Sequence, residues 1–198
     1  MRPRHRGAGF VQHESALPVM RNILFFDLET QRSADEVGGW NKIRDMRMSV
    51  GVTYSALHQA YRIYGEKQVD DLLTDLQRAD LVVGFNHLRF DYEVLHYYTV
   101  LDLRQLPSLD MLVELQKQLP FRLSLDAVAS ATLGVEKTAG GMQAIQWYRQ
   151  GRLMEIAEYC CYDVKITRLL YDFGAANKQV FYKDRFGKIQ PVPVGWGM

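Results

Sequence analysis

Three short stretches of the sequence carry acids at spacings that can do chemistry. Asp27 and Glu29 stand at i and i+2 directly after the apolar run Ile23-Leu24-Phe25-Phe26. Side chains alternate along a strand, so in a strand these two acids point to one face. Asp91 closes the stretch Gly84-Phe85-Asn86-His87-Leu88-Arg89-Phe90-Asp91, where a polar turn leads from an apolar run into a helix start. Tyr159 and Asp163 are i and i+4 in a long helical pattern and share one of its faces. Ile156, Ile166 and Leu170 continue that stripe, and an acid on an apolar stripe is costly to bury unless paired or bound to metal. Each stretch alone has an ordinary explanation: a solvated strand end, an acid favoured by a helix dipole, a surface acid beside a core tyrosine. Jointly they supply four carboxylates and a phenol. Two unit charges about 4 Å apart repel by roughly 4 kcal/mol at an effective dielectric near 20, so four gathered carboxylates need bound cations.

Several elements must position these groups. The run 23–26 suits a central strand buried on both faces, and Leu81-Val82-Val83-Gly84-Phe85 suits a second. Met48 to Leu57 and Ala60 to Tyr64 read as strands joined by a tight turn near His58 and Gln59. Residues 31–47, polar and carrying Gly38-Gly39, read as a long loop. Helices are expected over 66–79, 90–99 and Ser108 to Leu119, the last bracketed by Pro107 and Pro120. Further helices are expected from Leu125 to Leu133, capped by Ser124 and ended by Gly134, and over 141–150 and 152–174. A turn-rich tail with Pro191 and Pro193 follows. Strands come first and helices later, which predicts an α/β domain with a mixed sheet flanked by helices.

The bulk properties fit one globular domain. The chain has 198 residues, 47% of them hydrophobic and 24% charged, with 24 basic against 23 acidic side chains. A near-neutral total neither demands nor excludes a polyanionic partner, because acids can cluster at metals while bases line a groove. Residues 1–20, with Arg2, Arg4 and Arg6, read as a mobile basic arm before a domain at 21–198, and Met20 is an alternative start. Cys160 and Cys161 are adjacent and do not suggest a disulfide, which points to a reducing, cytoplasmic setting. No apolar run reaches the length of a membrane span, and the N-terminus lacks the apolar stretch of a signal peptide.

The order D-x-E-T over residues 27–30, N-x-x-x-F-D over 86–91 and Y-x-x-x-D over 159–163 resembles the DEDD superfamily of 3′–5′ exonucleases in its tyrosine subclass. That resemblance runs from about Ile23 to Leu170. It implies a ribonuclease H-like fold with a mixed five-stranded sheet. It also implies catalytic and metal-binding roles for Asp27, Glu29, Asp91 and Asp163, with Asp27 bridging two ions. The histidine subclass has His five residues before the last Asp, where this chain has Glu158. The stretch Leu125-Asp126-Ala127-Val128-Ala129, then Leu133-Gly134 and Lys137, is similar to proofreading domains of family B DNA polymerases. The chain also resembles the stand-alone predicted exonucleases related to those domains, sometimes joined to helicases, and that resemblance implies a helicase or polymerase partner. One departure is Arg89, where those domains often have Asn before Phe-Asp.

Hydrolysis of a phosphodiester needs an activated water and a stabilised leaving oxygen, which two metals, Mg²⁺ or Mn²⁺, supply. Tyr159 would orient the attacking water or take part in proton transfer. A strand, single-stranded DNA in preference to RNA, would be held by Thr30, Asn86, Arg89, Phe90 and Lys137. Trp40, Trp147 and Tyr148 are further candidates for stacking, and Arg149, Arg152, Lys165 and Arg168 for phosphate contacts. Core packing and solvated helix charges are the alternatives for these two sets. His87 and His96 lack zinc-ligand spacing and read as structural. Rival readings are a ribonuclease H-like endonuclease or resolvase, a nucleotide phosphatase, and a non-catalytic nucleic-acid-binding module.

Overall fold

The structure, a computed structural model, describes residues 21–135 and 140–197. The proposed arm at 1–20, and Lys137, lie outside the described residues. Strand β1 (Ile23–Thr30) is the middle of a five-stranded sheet. On one side it pairs antiparallel with β2 (Met48–Ser55), which pairs with the edge strand β3 (Ala60–Gly65). The hairpin turns where expected, with Gln59 in the left-handed region at φ 51°. On the other side β1 runs parallel to β4 (Leu81–Gly84), and β4 to β5 (Ser108–Asp110). The order β3-β2-β1-β4-β5 is the expected mixed sheet.

Alternation along β1 divides the interior into two cores. Leu24, Phe26 and Leu28 face a core shared with Leu72 and Leu76 of α2 (Val69–Arg78) and with Tyr92, Val94 and Leu95 of α3 (Asp91–Leu95). Phe25 faces the other, with Val128 of α5 (Leu125–Leu133), Ala144 of α6 (Gly141–Arg149), and Ile156, Cys160 and Val164 of α7 (Leu153–Asn177). Asp27 and Glu29 have the parity of Phe25, so the strand's own pleat sends them towards α7.

Four segments differ from the sequence expectation: the helix expected over 90–99 is only Asp91–Leu95, and three others change type. Residues 31–47 are not a plain loop. They hold a one-turn helix, α1 (Ala34–Val37), opened by a capping box between Ser33 and Glu36, and a 3₁₀ stretch at 40–46. Residues 108–110 are β5 rather than the start of a helix, because they add to the edge of β4. The helix α4 (Met111–Gln116) begins only after Asp110 caps it. The tail forms a hairpin of β6 (Gln179–Lys183) and β7 (Ile189–Pro193), with Phe181 bonded through both backbone groups to Thr132 Oγ1 on α5. Beyond it Trp196 is buried against Gly174 of α7. No helix among the described residues is long and apolar enough to cross a membrane.

Candidate active site

The carboxylates meet at the C-terminal end of β1. Oxygens of Asp27, Glu29 and Asp163 all lie within 4.8 Å of one another. Asp91 arrives from the opposite core, on the first turn of α3, and its Oδ1 accepts the Leu28 amide at 3.0 Å. It therefore stands at the rim of the cluster with one oxygen already engaged. The β1–β2 register shifts between Glu29 and Thr30, which turns the strand away just past the acids.

Crowding is visible in the electrostatics. Burial pushes the Asp27 carboxyl well above its ordinary value, and the charges of Asp91, Asp163 and Glu29 push it further. Burial raises Glu29 in the same way, followed by Asp163 and Asp91. Asp91 is pushed up to about 8, mainly by burial, against the lowering pull of the Leu28 amide. The thiol of Cys160 lies 3.4 Å from both the main-chain oxygen and Oδ2 of Asp27 and supports that carboxylate from beneath. Tyr159 stands one turn before Asp163 on α7. Burial, then Asp163 and Glu29, raise its phenol far above the ordinary range, so it is a neutral hydroxyl at working pH. The Trp147 ring meets Tyr159 edge-on at 6.4 Å. A cleft of about 550 Å³ opens over the acids, lined among others by Asp27, Glu29, Thr30, Asn86, Phe90, Asp91 and, from α6, Met142 and Ile145.

A residue the sequence reading did not single out shapes this end of the cleft. Asp110 is buried, and its carboxylate accepts the amides of Asn86 (2.7 Å), Leu88 (3.1 Å), Leu112 (3.0 Å) and Val113 (3.4 Å). It thus caps α4 and holds the turn that carries Asn86, Arg89, Phe90 and Asp91. Asn86 sits at φ 70° in that turn. His87 is fully buried beside Asp110, and burial lowers its pKa to about 4. It fills the space over Gly84, where a Cβ would come 2.8 Å from its Nδ1. An Asp directly before the apolar pair Met111-Leu112 was the available cue, hidden by reading the helix as starting at Ser108.

The other proposed contacts separate. Thr30 lines the cleft, but its hydroxyl donates to the Arg32 carbonyl. Phe90 and Trp40 stand 6.4 Å apart over the cleft, and Arg89 lies just beyond them in an adjoining pocket. Arg149 is bonded to Glu36, Arg152 to Glu155, and Arg168 stacks on Tyr54, so these three are engaged elsewhere. His96 pairs with Glu93.

A family model described as the RNase_H superfamily matches residues 24–173, the span that holds β1 and most of α7. The chain belongs to the RNase_H superfamily. Among solved structures it is similar to the family B DNA polymerase from the hyperthermophilic archaeon Pyrobaculum calidifontis. The TM-score is 0.59 at 17% identity, covering 81% of this chain and 25% of the polymerase. At that identity the likeness concerns the fold, and the chain spans about a quarter of the polymerase's length. No curated protein matches the sequence.

Proposed function

We propose that this chain is a metal-dependent 3′–5′ exonuclease that removes nucleotides from single-stranded DNA. The observation that carries the reading is the convergence of Asp27, Glu29 and Asp163 within 4.8 Å, at the strand end of an RNase_H superfamily fold. The donor set fits hard divalent cations: it is all oxygen, and its mutual repulsion is relieved by added positive charge. Asp27, Glu29, Asp91 and Asp163 would hold two ions, which when bound supply an activated water and charge for the leaving oxygen.

The chain's own groups do the rest. Asp27 faces the other three acids and is the natural shared ligand. Glu29 and Asp163 close the inner side. Asp91, tied to the Leu28 amide, offers its second oxygen from the opposite side. Tyr159, neutral and one turn from Asp163, holds the attacking water by its hydroxyl. The 3′–5′ direction rests on the motif order D-x-E, N-x-x-x-F-D, Y-x-x-x-D.

The test is a single strand labelled at either end, incubated with Mg²⁺ or Mn²⁺. The 3′ label should leave first, as mononucleotides, and a closed circle should stay intact. Early loss of the 5′ label, or cutting of the circle, would move the assignment to an endonuclease or a nuclease of opposite polarity.

A further inference from the structure

The cleft over the carboxylates does not end at Asp91. An adjoining pocket of about 510 Å³ is lined by Trp40, Ile43, Asn86, Arg89, Phe90 and Arg122. It shares Trp40, Asn86 and Phe90 with the cleft. A third, more open pocket shares Asn86 and Arg122 with it and Phe85 with the cleft, and runs towards Ser124, at the start of α5. The three form one trough with Asn86 on the wall of each.

The lining of the middle pocket has a definite chemistry. Trp40 is 64% exposed, and its ring lies at 56° to Phe90, which leaves a flat apolar face open to solvent. Such faces take unpaired bases of any sequence. Arg89 and Arg122 both line this pocket, and burial, followed by the nearby Arg89 charge, lowers the Arg122 pKa. Among the described residues neither has an acid within 4.0 Å, although Arg47, Arg62, Arg149 and Arg152 each do. The Asp110 carboxylate also acts on Arg122, but its oxygens are taken by four backbone amides, so two guanidinium groups facing the same space still suit a phosphate. The cleft at the acids, about 550 Å³, has room of its own for a small ligand such as a leaving nucleotide, which leaves the adjoining pocket of about 510 Å³ for the strand that is kept.

We infer that the pocket of Trp40, Arg89 and Arg122 is a second subsite, which holds the backbone phosphate and unpaired base of a nucleotide on the retained side of the cut. This rests on the reading that a strand is cut at the carboxylates. It adds a requirement which the carboxylates alone do not impose: a short unpaired stretch upstream of the terminal nucleotide. Arg122 is the residue that makes the subsite specific for a phosphate.

The experiment uses the full chain and a labelled eight-nucleotide strand, with binding followed by anisotropy in Ca²⁺. Arg122→Ala should weaken binding about tenfold, as loss of a charge-assisted contact does, and Arg122→Lys should recover part of it. One methylphosphonate, which removes a backbone charge, is then moved along the strand. The wild type should lose affinity most at one position near the 3′ end, and Arg122→Ala should lose little more at that position. Additive losses at every position, or equal affinity for a fully paired blunt duplex, would overturn the subsite. Cleavage is scored separately with Mg²⁺ and Mn²⁺. A wild type that shows the phosphate footprint and cuts nothing would remove the hydrolytic reading and leave the subsite standing.

Discussion

Asp110, at the end of β5, and Asp27, towards the end of β1, are both acids in poorly solvated surroundings, and their oxygens are used in opposite ways. Asp110 accepts four backbone amides, two from the turn at 86–88 and two from the first turn of α4. Asp27 has the Cys160 thiol beneath it and otherwise faces Glu29, Asp91 and Asp163. A carboxylate whose lone pairs are filled by N–H groups is a structural device, because the protein itself supplies the compensating dipoles. Carboxylates turned towards each other are incomplete until a cation joins them. Asp91 is between the two cases, with one oxygen on the Leu28 amide and the other side near Asp27.

The comparison can be broken most directly at Asp27. Asp27→Ala should reduce nuclease activity to background, a loss beyond about 10³-fold, since the shared contribution of the ions is several kcal/mol. Added Mn²⁺ should not restore it. Asp27→Asn should also leave the metal-free protein at least as stable as the wild type, because it removes repulsion. A clear loss of stability in EDTA would mean that Asp27 is structural after all.

Next comes Tyr159, which separates holding ions from handling water. Tyr159→Phe keeps the ring beside Trp147 and removes only the hydroxyl. The rate should fall by about 10²–10⁴-fold, while metal affinity by calorimetry and strand binding stay near wild type. Cleavage at the wild-type rate would make Tyr159 an ordinary core aromatic.

Asp110 should behave in the reverse manner. Asp110→Ala leaves four amides without their acceptor and should cost about 2–4 kcal/mol in urea unfolding. Asp110→Asn should cost less. If Asp110→Ala unfolds like the wild type, the turn at 86–88 does not depend on this carboxylate.

The smallest effect is the dependence on pH. His87, with its pKa lowered to about 4 from 6.5, subtracts from stability only below pH 6.5. Asp91, raised to about 8 from 3.8, keeps its proton in the folded protein where the unfolded chain has already released it. Stability of the metal-free protein should therefore fall as pH rises from 6.5 to 8, by about 1–2 kcal/mol. Divalent cations favour the ionised acids, so their stabilising effect should grow over the same range. A metal-free stability that climbs between pH 6.5 and 8 would show that the acids are not crowded in solution.

The site was more legible than its supports. Asp27, Glu29, Asp91, Tyr159 and Asp163 were picked out jointly, by the order of their three stretches and the resemblance it carries, since each stretch alone has an ordinary explanation; the fold brings Asp27, Glu29 and Asp163 together. The central strands were legible as unbroken apolar runs. The three-residue β5 was not, because its pairing with β4 is made across the chain, and Asp110 was lost with it. The tail hairpin was hidden by Pro191 and Pro193, which sit on its edge strand. Arg122 gave no signal at all: nothing in Pro120-Phe121-Arg122 says that Arg89 lies near it.

Gly174 has a consequence for anyone who would engineer the protein. It lies inside α7, a 25-residue helix, where replacing Gly by Ala ordinarily stabilises by about 1 kcal/mol. A methyl group here would come within 2.7 Å of Trp196 Cζ3, and closer still to Cε3. The usual improvement would therefore drive the indole from its seat and loosen the chain's end from the helix. Asp163 and Tyr159 ride on the same helix eleven and fifteen residues away, where Ile156, Cys160 and Val164 pack it against β1. A mutant library screened for heat resistance by helix-forming tendency would treat this position as an oversight, although it is the seat that lets the end of the chain close on α7.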